Sequence, residues 1–335
     1  MGKVVTLGEI MLRFSTQTGH RLTQSEQLQA HYGGAEANVG ISLANFGHEV
    51  VFASKVPDNG LGEAVRKHLQ RYRVNTDFLL TGGNRLGTYY LETGIGERAA
   101  AVIYDRTGSS FAEMDTLEWD LSELFHEVDL FHLSGITPAL SPKWQTLTLD
   151  LVKQARKAGC KISFDVNYRG KLWSQAQAGH FLKQILSYVD YCSAGILDAV
   201  HLLGITATPT ADENSTAFYY QCMKQVFPTI EVFYSTKRIV HSASANDLTG
   251  TLWIAGQYYE SELHELDPII DRVGGGDAFS GGVLHGLLEK MEPQAIIDFA
   301  TAAAALKHTV HGDCNQFTQA EVEQFLAAGS GKINR

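Results

Sequence analysis

The chain has 335 residues, a formal net charge of −10, 44% hydrophobic residues and 19% charged residues. That balance excludes disordered and collagen-like classes, and the length suits one large α/β domain or two modest ones. No Lys or Arg stripe runs through it, which argues against a polynucleotide partner; a small anionic ligand stays open, because a few cations and backbone N–H groups can converge locally.

No stretch reaches the apolar length of a membrane span. The opening MGKVVTLGEIML lacks the long apolar region and small-residue cleavage site of a signal peptide, so the cytoplasm is the expected location. Cys160, Cys192, Cys222 and Cys314 are widely spaced with no C-x-x-C pair; Cys160 and Cys192 read as small core residues.

Val4 to Gly8 is a short β-branched run ending in Gly, a strand and turn. Ala37 to Phe46 has helical apolar spacing, with Gly47 placed to end it. A strand follows at Val50–Ala53 and an amphipathic helix at Leu61–Tyr72. Strand and helix then alternate: Leu130–Leu133, Trp144–Ala158, Lys161–Val166, Ala176–Val189, Phe218–Val226 and Val232–Ser235. The alternation predicts a mostly parallel sheet covered by helices on both faces. Two regions break it. Glu9 to Tyr32 contains no long helix, and Gly87 to Tyr104 reads as two extended stretches, Thr88–Leu91 and Ala100–Tyr104, joined by a turn at Gly94–Gly96. Together they predict a small β lid on a single α/β domain spanning 1–335, with lid segments at about 9–32 and 87–107.

The segment Asp271-Arg272-Val273-Gly274-Gly275-Gly276-Asp277-Ala278-Phe279 carries the chemistry. Leu266–Ile270 before it reads as extended and Ala278–Leu288 after it as helix. The three glycines therefore sit where a chain enters a helix, and such a turn presents N–H groups and a positive helix end to an anion. A carboxylate at Asp277 would repel a phosphate; facing a substrate hydroxyl, it can accept the proton during phosphoryl transfer. An N-cap at a tight turn is the other reading of this segment taken alone. No G-x-x-x-x-G-K-[ST] occurs, which disfavours a P-loop enzyme, and no N-terminal G-x-G-x-x-G supports a Rossmann dehydrogenase.

Val273 to Phe279 resembles the C-terminal signature of the ribokinase-like, phosphofructokinase B family of sugar kinases. Gly33-Gly34-Ala35-Glu36-Ala37-Asn38-Val39-Gly40 resembles its N-terminal signature, in the expected order near the opposite end. The resemblance covers nearly the whole chain. It implies a three-layer αβα core with a β-sheet lid, ATP and Mg²⁺ as cofactors, an anion hole at Gly274, Gly275 and Gly276, Asp277 as the catalytic base, and sugar contacts from Gly34 and Asn38.

Within the family, Tyr104-Asp105-Arg106 and Phe164-Asp165-Val166-Asn167-Tyr168-Arg169 look like segments of 2-keto-3-deoxygluconate kinases. In those enzymes a lid Tyr and Arg and the Arg of the core segment surround the acid end of the substrate, which places Tyr104, Arg106 and Arg169 there. Arg suits a carboxylate because its planar fork holds it in two directions; either Arg alone is equally consistent with a surface salt bridge. Tyr89 and Tyr90 alternate on a strand, so one faces the pocket, and Tyr89 is preferred. Neutral-sugar members tend to carry an Asp near Arg13; a cation there suits an acidic substrate or turns outward. Arg238, in Ser235-Thr236-Lys237-Arg238, is a candidate for ATP phosphates or a solvated loop residue, and Ala303 and Asn315 are candidates for the adenine. Many relatives have Asn-x-x-Glu where this chain has Gly195 and Asp198, so Asp198 is a weak metal candidate. The expectation is ATP-dependent phosphorylation of 2-keto-3-deoxygluconate on its C6 hydroxyl to the 6-phosphate, with a small-molecule sugar acid as partner and pairing through the lid strands as an open route to a homo-oligomer. A fructokinase or 5-keto-2-deoxygluconate kinase is the nearest alternative, and a non-catalytic sugar or nucleotide sensor is the alternative of a different class.

Overall fold

A computed structural model describes residues 1–206 and 215–328. The chain enters the middle of the main sheet as β1 (Lys3–Leu7), then leaves it for β2 (Met11–Ser15) and β3 (Gln29–Gly33). It returns through helix α1 (Ala35–Asn45), β4 (Glu49–Val56), α2 (Gly60–Arg71) and β5 (Leu79–Thr81). A second excursion makes β6 (Thr88–Glu92) and β7 (Ala101–Asp105). The main sheet then grows the other way through α3 (Leu121–Leu124), β8 (Leu130–Ser134), α4 (Ile136–Ala139), α5 (Pro142–Lys157), β9 (Lys161–Asp165), α6 (Gln175–Ile185), β10 (Tyr191–Ser193), α7 (Ile196–His201), α8 (Thr216–Val226) and β11 (Val232–Val240). Antiparallel strands β12 (Asn246–Ile254), β13 (Gln257–Glu260) and β14 (His264–Leu266) finish that edge, and α9 (Gly275–Leu288), α10 (Pro293–Lys307) and α11 (Gln319–Ala328) close the chain.

Among the described residues, ten strands form the main sheet in the order β13-β12-β11-β10-β9-β8-β1-β4-β5, with β14 also on β12. From β5 to β11 every pair is parallel. β1, β4 and β11 carry apolar side chains on both faces, whereas β9 has Ile162 and Phe164 on one face and Lys161, Ser163 and Asp165 on the other. Val5 and Leu7 of β1 join the core under α5, α6 and α8, while Val4 joins the core under α1 and α2. On β11 Phe233 faces the first of these cores, and Val232 and Tyr234 face α9 and α10. Helix, sheet and helix thus form three layers, because side chains of a strand alternate between faces and both faces need a cover.

A second sheet of four strands has the order β3-β2-β6-β7. Its strands come from the two segments that break the α/β rhythm. Arg13 lies opposite Tyr89 and His31, and Tyr89 opposite Tyr104, so these four residues share one face.

Two sequence expectations change. Residues 267–270 are not a strand; the extended segment ends at Leu266. Gly275 and Gly276 form the first turn of α9 rather than a loop before it, with Gly274 as the N-cap at φ 79°, a left-handed conformation that favours glycine. The hairpin of β12 and β13 was not read from the sequence.

Candidate active site

Asp277 stands in the first turn of α9, and Asn38 on α1 points at it: Asn38 Nδ2 donates to Asp277 Oδ2 at 2.7 Å. The other end of the amide, Asn38 Oδ1, is buried with no hydrogen-bond partner in the protein. Burial pushes the Asp277 pKa up to about 6, against the Asn38 hydrogen bond and the positive charge of Arg169. A carboxylate poised there is deprotonated at neutral pH yet basic enough to take a hydroxyl proton.

The turn beside it is shaped by its neighbours. A Cβ on Gly274 would stand 1.6 Å from the Asp313 carbonyl oxygen, and one on Gly275 would meet the His308 ring at 2.4 Å. A Cβ on Gly276 would meet nothing within 4 Å, so space opens there. Gly275 N–H returns to the Arg272 carbonyl at 3.3 Å, while the N–H groups of Gly274, Gly276 and Asp277 have no partner among the described residues. These are the free amides of a helix start, the arrangement that holds an anion.

Cations gather on the same side. Arg238 on β11 is partly buried, its Nε has no partner, and burial, then the Arg272 charge, hold its pKa below the ordinary value. Burial lowers His308 to about 4, so the ring is neutral; the Nδ1–H donates to the Ala304 carbonyl at 2.6 Å, leaving buried Nε2 without a partner. Arg272 and His308 were missed as site residues. Arg272 lay inside the glycine segment and could have been found there; His308, at the end of α10, carried no local pattern.

On the other side of Asp277, Gly34 lets the start of α1 press on the Glu9 backbone, since a Cβ would stand 2.1 Å from the Glu9 carbonyl oxygen. Glu9 in turn faces Arg106, with Nη1 3.4 Å from Oε2, and accepts from Ser109 Oγ at 2.6 Å. Arg106 lies over the Tyr104 ring at 5.2 Å, and its Nε and Nη1 are buried without a hydrogen-bond partner. Arg169 is exposed just beyond β9; it makes no ion pair within 4 Å among the described residues, and its charge acts on both Asp165 and Asp277. Two further carboxyls were missed. Burial, then repulsion from Asp277, raises Asp165 to about 7. Burial raises Glu36 to about 7 even though its Oε1 accepts from Ser134 N (3.1 Å) and Ser134 Oγ (2.7 Å).

Several expected residues sit elsewhere. Tyr89 is buried and its hydroxyl donates to Asp313 Oδ2, while Tyr90 turns away and stacks on Phe14 at 5.6 Å. Arg13 neither turns outward nor faces a ligand; it is 1% exposed and paired with Asp271 and Asp313. Asn315 is wholly buried, its amide closing a turn on both atoms of Phe317 at 3.0 Å, which removes it from any ligand. Ala303 packs with Phe46, Phe299 and Val322 in the interior and is likewise out of reach. Asp198 Oδ2 accepts from Gly195 N at 2.9 Å and caps α7, and no cluster of three or more His, Cys, Asp or Glu able to hold a metal ion occurs among the described residues.

The family model for the pfkB family of carbohydrate kinases matches residues 1–237 and 245–320. The chain belongs to that family. It is 34% identical to a 2-dehydro-3-deoxygalactonokinase of Haloferax volcanii over 99% of both chains. A crystal structure of 2-dehydro-3-deoxygluconokinase from Thermotoga maritima superposes with a TM-score of 0.94 at 35% identity, covering 98% of each chain. A pfkB family carbohydrate kinase from Listeria grayi gives 0.93 at 47% identity, covering 97% of this chain and 99% of that one. The fold is therefore ribokinase-like and the protein is a carbohydrate kinase acting on a small sugar or sugar acid, with ATP use implied by the family. No helix among the described residues is long and apolar enough to cross a membrane.

Proposed function

We propose that the protein transfers the γ-phosphoryl group of ATP to the C6 hydroxyl of 2-keto-3-deoxygluconate (2-dehydro-3-deoxygluconate). The observation that carries this reading is the pair of arginines near Asp277: Arg169, with no ion pair within 4 Å among the described residues, and Arg106, which faces the Glu9 carboxylate but keeps two buried N–H groups without a hydrogen bond. A guanidinium with N–H groups left over at a ligand site is well matched by a carboxylate, which accepts two parallel hydrogen bonds. The Thermotoga maritima and Bacillus subtilis relatives named 2-dehydro-3-deoxygluconokinase, the latter 27% identical, support it.

In this reading Asp277 receives the acceptor hydroxyl's proton as the oxygen attacks phosphorus, and Asn38 aims it. The amides of Gly274, Gly276 and Asp277 face the transferring phosphoryl oxygens, and Arg238 and Arg272 balance the remaining phosphate charge. Mg²⁺ would be held chiefly by the phosphates and water, with Asp165 and Asp198 as nearby carboxylates, and would supply charge neutralisation. Gly34, Tyr104, Arg106 and Arg169 line the sugar side, with the four-stranded sheet as the lid that excludes water.

The Haloferax volcanii relative, named for the galacto compound, favours a second reading in which the C4 epimer, 2-keto-3-deoxygalactonate, is used as well or better. A coupled ADP-release assay across both epimers, fructose and ribose separates these outcomes. The acid-selective reading requires kcat/KM for at least one keto-deoxy acid to exceed that for both neutral sugars; a preference for fructose would end it.

A further inference from the structure

Arg13 is a buried cation that the proposed chemistry does not use. Its Nη2 and Nη1 donate to Asp271 Oδ2 and Oδ1 at 2.5 and 3.3 Å, and its Nε lies 3.3 Å from Asp313 Oδ1. Asp271 stands at the entrance to the phosphate turn. Its carboxylate also accepts from Val273 N and Gly312 N, both at 3.1 Å, and its carbonyl accepts from Lys307 Nζ at 3.0 Å. Asp313 accepts from the Tyr89 hydroxyl, and its carbonyl is the atom against which Gly274 packs. One side chain of the small sheet therefore fixes both the segment that enters the turn and the loop on which the turn's N-cap glycine rests. The set balances in charge, with Arg13 and Lys307 against Asp271 and Asp313. A planar fork holds Asp271 through two N–H groups in a fixed plane while its Nε faces Asp313; an ammonium has three donors but no such fixed plane.

We propose that Arg13 is a positioning residue for phosphoryl transfer: it ties the placement of the four-stranded sheet to the shape of the Gly274–Asp277 turn, so that sugar bound on the sheet side strengthens nucleotide binding on the turn side. The proposal rests on the kinase site described above but not on which sugar it takes. Shifts of this sheet relative to the core must be shared by Asp271 and Asp313, because both are held by the same guanidinium. Coupling of this kind is reciprocal, so nucleotide also strengthens sugar binding by the same factor.

The test measures the Kd of a non-hydrolysable ATP analogue by calorimetry, without sugar and with a saturating amount of whichever sugar the activity assay selects. The wild type is compared with Arg13→Met, Arg13→Lys and Arg156→Met. The last breaks a remote ion pair, Arg156 Nη1 to Asp190 Oδ2 at 2.6 Å, and controls for lost stability alone. In the wild type the sugar should tighten the analogue at least about 5-fold, the lower end of typical coupling. Arg13→Met should bring that ratio to near one and lower kcat by about 10- to 100-fold, as small misplacements of a reacting group do. Arg13→Lys should recover part of the coupling, and Arg156→Met should keep all of it. Absence of coupling in the wild type overturns the proposal. So does an Arg13→Met protein that loses only melting temperature. Should Arg13→Met not fold, full coupling in Arg13→Lys overturns it equally. Because the sugar is chosen by assay, a neutral substrate would sink the acid-selective reading and leave this test intact.

Discussion

Asn38 and Asp277 lie 239 residues apart in sequence and meet at 2.7 Å across the helices α1 and α9. The two family signatures thus converge on a single hydrogen bond. It engages one carboxylate oxygen of Asp277 and leaves the other for the acceptor hydroxyl that the proposed transfer requires, and it favours the ionised form of a group that burial pushes toward protonation.

If Asp277 is the base, Asp277→Asn should lower kcat by about 10²–10⁴-fold while the Kd of an ATP analogue stays close to the wild-type value. The turn amides are untouched by the change. Near-normal turnover in the purified variant would remove Asp277 from that role.

The pH profile follows from the raised pKa. A base must be deprotonated, so kcat/KM should fall on the acid side with a midpoint near the pKa of about 6. Asn38→Ala removes a hydrogen bond that favours the carboxylate, so the acid limb should move to higher pH. A limb that stays in place while the rate drops would mean Asn38 acts on the sugar alone.

The same shift costs stability. A carboxyl whose folded pKa lies above its unfolded value binds its proton more tightly when folded. Stability is therefore full below the unfolded pKa, here near the ordinary 3.8, and is lost as pH rises through about 6. Asp277→Asn should melt at a higher temperature than the wild type at pH 8, with the difference shrinking toward pH 4. Equal differences at both pH values would contradict a half-buried Asp277 that is ionised in the folded protein.

Much of this site was legible because its chemistry is local in sequence. The glycine turn, Asp277, and Gly34 with Asn38 each lie within short segments whose residue types imply their backbone. Arg13 was misread for the opposite reason: its partners, Asp271 and Asp313, lie some 258 and 300 positions away, and no pattern around Arg13 announces a buried pair. Asn315 and Ala303 failed similarly, since whether an amide or a methyl faces a ligand or the interior is decided by packing from distant helices. Tyr89 and Tyr90 show the limit of alternation: it separates the two faces, but the facing element, here Asp313, decides what the inward ring does. The β12 and β13 hairpin was missed because its strands follow β11 with no helix between them, against the α/β rhythm.

The charge of the substrate gives the sharpest prediction. Arg169→Ala should weaken binding of the keto-deoxy acid by about 1.5–3 kcal/mol, roughly 10–150-fold, because a charge-assisted contact is lost. ATP binding should change little, since the groups assigned to phosphate lie on the glycine turn and around Arg238. Arg169→Lys should rescue only partly, because an ammonium cannot reproduce the fork. Arg169 also holds the Asp277 carboxylate down in pKa, so Arg169→Ala should move the acid limb to higher pH as well. That second readout separates two roles. An alcohol analogue of the substrate has no carboxylate to lose, so its binding should be nearly indifferent to Arg169→Ala, yet its acid limb should move with the variant just as the acid's does. If Arg169→Ala moves the acid limb and weakens neither ligand, Arg169 serves only to tune Asp277; if it weakens acid and alcohol equally, Arg169 is a structural contact, and in either case the acid-recognition reading falls and a neutral-sugar kinase of the same family takes its place.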